Sequence, residues 1–571
     1  MNLIEIGIFV SRIEAVCDEM GLVLKRSAFS TNIKDRLDFS CAIFDPHGQL
    51  VAQAAHIPVH LGSMAFAMKA VVAAQAWNDG DMLILNDPYK GGTHLPDITM
   101  VAPLFHEQVL LGFVVNRAHH ANIGATAPGS MPISTHIDQE GVLISPHFIV
   151  REGRVDRVYL THLAKRLGGE QRKDANDDAS GSSGSQSINF DQVCGDFSAQ
   201  ISANQVGLAR VALLVERLGA DRYRAGVAHL NDYGERIARS AIKDIPDGVY
   251  DFTDYMDDDG INNRSLGNTQ IGADESEGLV DVVIQVRVTV KGGHVDVDFS
   301  GSSPQVEGNI NCPLSVTAAG VYYVFRCLMP GNTPACAGTF RPITIRAPQG
   351  SLLNSQYPAA VAAGNVETST RVVDALSGAL AQALPGVMAA ASHGSMNNVA
   401  MGHYHRDQID GELTQQESDT TQQEPNPTQQ DWHYYETIGG GMGAGASGGG
   451  LSAVQTHMTN TMNTPVESLE MHYPLRIRRY QIRANSGGLG LRPGGHGIVR
   501  EYEFLQPTQV TLLTERRCFA PWGMEQGESG AVGVNWLNGK KLLAKQSVLV
   551  DQGDRLQVST PGGGGWGKIP P

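Results

Sequence analysis

The 571-residue chain is short of several things, and each shortage excludes a class of protein. No stretch approaches the roughly 18 uncharged apolar residues that a membrane-spanning helix needs. The apolar start, Leu3-Ile4-Glu5-Ile6, is interrupted by Glu5 and then by Arg12, Glu14, Asp18 and Glu19. It has neither a basic leader nor a small-residue cleavage site, so a cytoplasmic location is the expectation. Cations are outnumbered, 43 Lys and Arg against 59 Asp and Glu. A formal charge of −16 with no basic run argues against nucleic-acid binding. The seven cysteines are scattered, odd in number and without a C-x-x-C pair, which suits reduced thiols and excludes a disulfide scaffold or zinc knuckle. Neither a G-x-x-x-x-G-K-[ST] phosphate loop nor a G-x-S-x-G nucleophile elbow occurs.

What is present reads as a globular chain of two to four lobes, 42% hydrophobic and 18% charged. Apolar residues from Ile6 to Leu24 recur at helical spacing, which predicts one helix over 3–28. Phe39, Cys41 and Ile43 alternate, and Asp45-Pro46-His47-Gly48 predicts a turn into Leu50-Val51-Ala52. Leu61 to Trp77 reads as a helix; 82–85, 98–105 and 109–115 read as strands, the last two paired. Helices are predicted over 190–242, with a break at Gly219, and over 314–328 and 370–384. The stretch 249–300 and the last 85 residues or so have strand character. The expected architecture is α+β (mixed α/β) and multi-lobed, with several mixed or antiparallel sheets and flanking helices. Its expected divisions are a metal-site lobe at 1–170, a polar flexible loop at 171–189 and a helical segment at 190–248. An α/β lobe at 249–404, a low-complexity insertion at 405–430 and a glycine-rich β lobe at 431–571 follow.

Chemistry concentrates in Asn86-Asp87-Pro88-Tyr89-Lys90-Gly91-Gly92-Thr93-His94-Leu95-Pro96-Asp97 and in Arg117-Ala118-His119-His120. Imidazole nitrogen and carboxylate oxygen are what a borderline divalent ion such as Zn²⁺, Mn²⁺ or Fe²⁺ accepts, and three protein ligands leave a position open. For any single histidine, a bond to loop backbone is the commoner role, so the metal reading rests on the set His94, Asp97 and His119. Gly91-Gly92 allows close backbone approach and Pro96 stiffens the loop. Periodicity does not separate His119 from His120. Asp38, before a strand, is the best further carboxylate, against the alternative of a salt bridge to Arg36 or Lys34. His56 and His60, bracketing Ile57-Pro58-Val59, are candidates for proton transfer near neutral pH, with a structural role as the alternative. Gly443-Ala444-Gly445-Ala446-Ser447-Gly448 spells G-x-G-x-x-G, but no helical periodicity follows it, which makes dinucleotide binding a poor reading. An anion- or partner-contacting loop and a plain loop both stay open.

Taken together, several long motifs resemble the hydantoinase B/oxoprolinase family. They are Arg36-Leu37-Asp38-Phe39-Ser40, His56 through Gly62, Asn86 through Thr99, Asn116 through His120, Pro128 through Pro132 and Glu140-Gly141. Ala363 through Ser369, Thr459 through Glu467 and Ser486-Gly487-Gly488 complete the set, in one order along nearly the whole chain. The resemblance implies His94, Asp97 and His119 as metal ligands, selects His119 over His120, and implies Asp38 as the additional carboxylate. Two departures remove carboxylates: Asn122 and Asn485 stand where the family commonly has Asp. The family also implies a partner, an A-type subunit or fused domain with an actin-like ATPase fold that uses ATP to phosphorylate the substrate's carbonyl oxygen. The expectation is therefore the B-type subunit of an ATP-dependent cyclic amidase of the 5-oxoprolinase or hydantoinase type, holding one divalent metal (Zn, Mn or Fe). His56, His60 and Glu140 are the proton-transfer candidates. The alternatives are the large subunit of an ATP-dependent ketone carboxylase and a non-catalytic scaffold for the ATPase subunit.

Overall fold

A computed structural model describes residues 3–54, 56–167, 190–261, 281–403 and 432–569. The polar segments expected at 171–189 and 405–430 lie outside the described residues. Within them the chain is mixed α/β with several sheets and flanking helices, as its patterning predicts.

The N-terminal part contains α1 (Leu3–Ser27), α2 (Thr31–Lys34), β1 (Phe39–Phe44), β2 (Leu50–Gln53), α3 (Pro58–Ala73) and β3 (Met82–Leu85). It continues with β4 (Asp97–His106), β5 (Val109–His119), β6 (His147–Arg151), β7 (Arg154–Val155) and α4 (Arg157–Leu167). The seven strands form one antiparallel sheet in the order β2-β1-β5-β4-β3-β6-β7. Side chains alternate between its faces. Val101, Phe113 and Val115 point to one face and pack with Met64, Met68 and Val71 of α3. Ile98, Met100 and Ala102 point to the other and cluster with Phe197 and Ile201 of α5 (Phe190–Leu218). Helix α1 packs beside α5 over Phe39, Cys41 and Ile43 of β1.

Strands β4 and β5 meet at Glu107-Gln108, both with positive φ (48° and 64°), the backbone that a tight two-residue hairpin favours. A register shift between Leu104 and Phe105 is absorbed near the turn; beyond it the pairing is regular and places Asp97 opposite His119. Both strands run further than propensity suggests, because the polar residues at their ends are satisfied. Arg117 donates to Thr99 Oγ1 (2.8 Å), Ser63 Oγ (2.6 Å) and Gly91 O (2.9 Å), while Asn116 bonds Gln200 and Asn204 of α5.

Gly219, at φ 83°, breaks α5 from α6 (Ala220–Lys243) where the sequence predicts. A mixed sheet follows, β8 (Gly248–Met256), β9 (Val282–Lys291), β10 (His294–Asp298) and β11 (Ile343–Arg346), with β10 and β11 parallel. Its apolar face packs under α7 (Leu314–Cys327) and α8 (Ser369–Ala383) in a core whose members run from Ile57 to Leu513. Two antiparallel sheets close the chain. One holds Asn398–His403, His433–Glu436, Thr508–Leu513 and Lys545–Val550; the other holds Leu475–Ile482, Ile498–Phe504, Val534–Leu537, Lys540–Lys541 and Arg555–Ser559.

Glycine-rich segments around 439–450, 487–497, 523–530 and 562–567 lie against one another and bond directly, backbone to backbone. Gly495 N donates to Met442 O (2.8 Å), Gly563 N to Gly495 O (2.9 Å) and Gly488 N to Gly563 O (2.9 Å). A Cβ at Gly441 would sit 2.0 Å from Gly495 O, and one at Gly563 would sit 2.1 Å from Met442 O. Only glycine permits that approach. The Gly439–Gly450 stretch is thus a packing element.

Candidate metal centre

Asp97 opens β4, His119 closes β5 beside it, and His94 reaches in from the turn before β4. Asp97 Oδ1 lies 3.3 Å from His94 Nε2 and 3.2 Å from His119 Nδ1. The three side chains can each offer a ligand atom so that all lie within 4.8 Å of one another. Strand alternation separates the two adjacent histidines: His119 shares the α3 face with Asp97, while His120 turns to α5 and pairs with Gln200 Oε1 at 3.0 Å.

The outer oxygen of Asp97 faces donors. Thr93 Oγ1 donates to Oδ2 at 2.5 Å, His60 Nε2 lies 3.2 Å away and Asn365 Nδ2 3.5 Å away. Tyr435 stacks on His119 with ring centroids 5.1 Å apart. Asp97 and His94 have no exposed surface, and His60, His119 and Asp38 are 2%, 3% and 6% exposed. Burial would raise the Asp97 carboxyl, yet the facing His60 and His94 hold it well below the usual carboxylate range. Burial opposes charging His94, but Asp97 raises it above its ordinary value, whereas burial dominates at His119 and lowers it.

Whether these residues fit a cation is decided by their unpaired atoms. Nε2 of His94 and Nε2 of His119 are buried without a hydrogen-bond partner, beside an ionised carboxylate. Buried polar atoms are normally paired. Two imidazole nitrogens and a carboxylate oxygen are the donor set of a borderline divalent ion, so the residues fit one.

The remaining expected residues divide. Asp38 stands next outward: its carbonyl accepts His119 N–H (3.0 Å) and its carboxylate is 3.9 Å from His60 Nε2. His60, near the start of α3, touches both acids. His56 instead accepts Cys41 N–H (3.1 Å) and packs edge-on against Phe39; burial, then the nearby His60, pulls its pKa down to about 4. Glu140 is fully buried and reaches the centre through backbone, accepting from Val361 N and Ala362 N at 2.9 Å each; burial pushes it up to about 7. Asn122 caps a turn through Gly124 N (2.8 Å), and Asn485 sits at φ 59°, so amides suit both positions locally. Sequence reasoning missed Asn365, Thr93 and Tyr435. The first two lie inside the motifs noted above; Tyr435 carries no local signal.

A profile of the hydantoinase B/oxoprolinase family matches residues 2–569. The chain belongs to that family. Among hydantoinase B/oxoprolinase relatives, 5-oxoprolinase 1 of Arabidopsis thaliana is 38% identical over 99% of this chain, which spans 42% of that protein. A protein of Pseudomonas sp. (strain NS671), provisionally named as the B-type subunit of a D-/L-hydantoinase, is 30% identical over 99% of this chain and 90% of its own length. The structure of ATP-dependent caprolactamase from Pseudomonas jessenii aligns over 100% of this chain and 91% of that chain, at TM-score 0.82 and 25% identity. Acetone carboxylase shares the fold at TM-score 0.80 and 17% identity, over 99% of this chain and 75% of that one. No helix among the described residues is long and apolar enough to cross a membrane.

Proposed function

We propose that this chain is the B-type subunit of an ATP-dependent cyclic amidase of 5-oxoprolinase or hydantoinase type. It would open the ring of a lactam or hydantoin whose carbonyl oxygen an A-type ATPase partner has phosphorylated. The observation that carries the reading is the His94/Asp97/His119 cluster with its two unpaired Nε2 atoms, in a chain of this family.

An unstrained cyclic amide is a poor electrophile, and phosphorylation turns its oxygen into a leaving group. The sequence has no phosphate loop, which supports a partner supplying that step. His94, Asp97 and His119 would hold one divalent ion (Zn, Mn or Fe), with Asp38 as the outer carboxylate. Such an ion, when bound, supplies Lewis acidity and a water acidic enough to ionise near neutral pH. The chain's own residues do the rest. Asp97 keeps Oδ1 toward the imidazoles while Thr93, His60 and Asn365 engage Oδ2. Tyr435 covers His119 and keeps bulk water from that side. His60, between Asp38 and Asp97, is placed to hold the proton that the departing ring nitrogen needs.

The test is the purified complex of this chain with an A-type subunit, assayed for metal content and for ATP turnover with 5-oxoproline, hydantoins, caprolactam, or a ketone plus bicarbonate. Turnover stimulated by a cyclic amide, with ring-opened product, is expected. Stimulation by ketone and bicarbonate alone would place the chain among the carboxylases. Full activity after metal removal would leave it a scaffold.

A further inference from the structure

We infer that Glu140 is a positioning residue, which holds the cation-facing nitrogen of His94 in place through the Val361-Ala362 peptide and exchanges no proton with substrate. The inference rests on the metal reading above.

One carboxylate oxygen of Glu140 gathers three donors from separate parts of the chain. Oε1 accepts from Ser134 Oγ at 2.8 Å, Val361 N at 2.9 Å and Ala362 N at 2.9 Å. The carbonyl of Ala362 lies 3.3 Å from His94 Nδ1. A carbonyl only accepts, so Nδ1 carries a hydrogen there, and in the neutral ring the lone pair is then on Nε2. That atom is buried and unpaired in the cluster. A bond at one ring nitrogen that sets the tautomer and the aim of the other is the usual support of a ligating histidine.

The supporting segment does more than this. It runs on into a π-helical turn, Gly364–Thr368, and Asn365 of that turn reaches Asp97 Oδ2. Five consecutive residues, 361–365, therefore touch two of the three cluster side chains, and Glu140 anchors their leading end. Glu140 is itself held: its N–H bonds Ile137 O at 2.9 Å, and the next residue, Gly141, lies at φ 133° with Ile123 so close that a Cβ would sit 2.6 Å from its carbonyl. With no exposed surface and no contact to the cluster except through peptide, Glu140 is built to fix backbone.

Because all three donors meet Oε1, an amide oxygen can replace it, which separates positioning from acid–base chemistry. The intact protein, stripped and titrated with Zn²⁺ or Co²⁺ against a chromophoric chelator, should bind metal about 10- to 100-fold more weakly as Glu140→Ala, the usual cost of losing such support. Glu140→Gln should restore affinity close to the parent's. Melting in excess chelator is recorded alongside, so that a loss of affinity is not confused with unfolding. Should Glu140→Ala not fold, Glu140→Asp, which withdraws the carboxylate from the two amides, carries the same expected loss. Parent-like affinity in Glu140→Ala or Glu140→Asp would overturn the inference. So would a Glu140→Gln protein that binds metal normally yet turns over nothing in the complex, since that marks proton transfer. A parent protein that binds no metal would instead remove the function proposed above.

Discussion

Alanine placed in turn at Gly443, Gly445 and Gly448 tests whether the G-x-G-x-x-G spelling records ligand binding or packing. A Cβ at Gly443 would lie 1.8 Å from Ala390 O and 2.5 Å from Ala390 C. Both are backbone atoms, which cannot swing aside. At Gly445 the nearest atom is Ala389 Cβ at 3.8 Å, and at Gly448 nothing lies within 4 Å. Relieving the clash must pull the segment off its neighbours, where Gly443 N–Ser392 Oγ (3.1 Å), Ala390 N–Ala444 O (2.8 Å) and Ala444 N–Gly564 O (2.9 Å) join three chain segments. Overpacking costs about 1–3 kcal/mol, and each bond lost about 0.5–1.5 kcal/mol, so Gly443→Ala should destabilise by about 3–6 kcal/mol. Gly445→Ala and Gly448→Ala should stay within about 1 kcal/mol of the parent, as for open positions. Urea unfolding followed by tryptophan fluorescence suits the question, because Trp522 O accepts from Ala391 N and Trp566 pairs with Arg492 inside the glycine bundle. A loop cradling a phosphate would behave differently, with ligand affinity and not stability responding at the second and third glycines. A Gly448→Ala protein as unstable as Gly443→Ala, or a Gly443→Ala protein as stable as the parent, refutes the packing account.

Adding Zn²⁺ or Mn²⁺ at 100 times its Kd to stripped protein should stabilise it by about 2.7 kcal/mol, read as a rise in Tm, and Asp97→Asn should abolish the rise; an undiminished shift in the variant would place the ion elsewhere. Because Asp97 raises the His94 pKa, and the imidazole must lose its proton to bind a cation, metal affinity should already fall with acid above the ordinary histidine range. The His56 pKa is lowered to about 4, so the unfolded chain binds that proton more tightly. Its contribution is intact above the unfolded histidine value near 6.5 and shrinks as pH falls toward 4, by up to about 3 kcal/mol. Urea midpoints at neutral and mildly acid pH should therefore diverge less for His56→Gln than for the parent, and equal divergence would contradict it. Glu436 and Arg500, both 1% exposed and 2.8 Å apart, form a buried pair. Glu436→Gln alone should cost about 3–5 kcal/mol, and pairing Glu436→Met with Arg500→Met should recover most of it; a double variant as weak as the single would count against a paired-charge origin.

Local patterning carried much of the fold. Helix α1, the β1–β2 hairpin and the break at Gly219 follow from apolar period and turn chemistry alone. The ends of β4 and β5 were harder, because Asn116, Arg117 and His119 are poor strand formers whose burial depends on partners that no local window contains: Thr99, Ser63, and Gln200 and Asn204 of α5. The same holds at the centre. His94, Asp97 and His119 were legible because one hairpin carries them and its pairing sets them opposite one another. Glu140 was legible as a buried acid near the site, but not as a holder of backbone, since Val361 and Ala362 lie more than 200 residues away. Glycine count suggested turns; its main use here is contact between backbones.

That distribution bears on how the centre is built. The hairpin alone places Asp97 against His119, with α3 adding His60 and Ser63 from the same part of the chain. What aims His94 and engages the outer oxygen of Asp97 comes from residues 361–365, beyond a second sheet and its helix. Ligand identity and ligand orientation are therefore set by different stretches of chain, joined across a shared core that runs from Ile57 to Leu513. A fragment ending before residue 361 would retain every candidate ligand yet lose the carbonyl that sets the His94 tautomer. Such a fragment should bind a divalent cation weakly even if the seven-stranded sheet forms, whereas parent-like affinity in it would show that the hairpin preorganises the centre unaided.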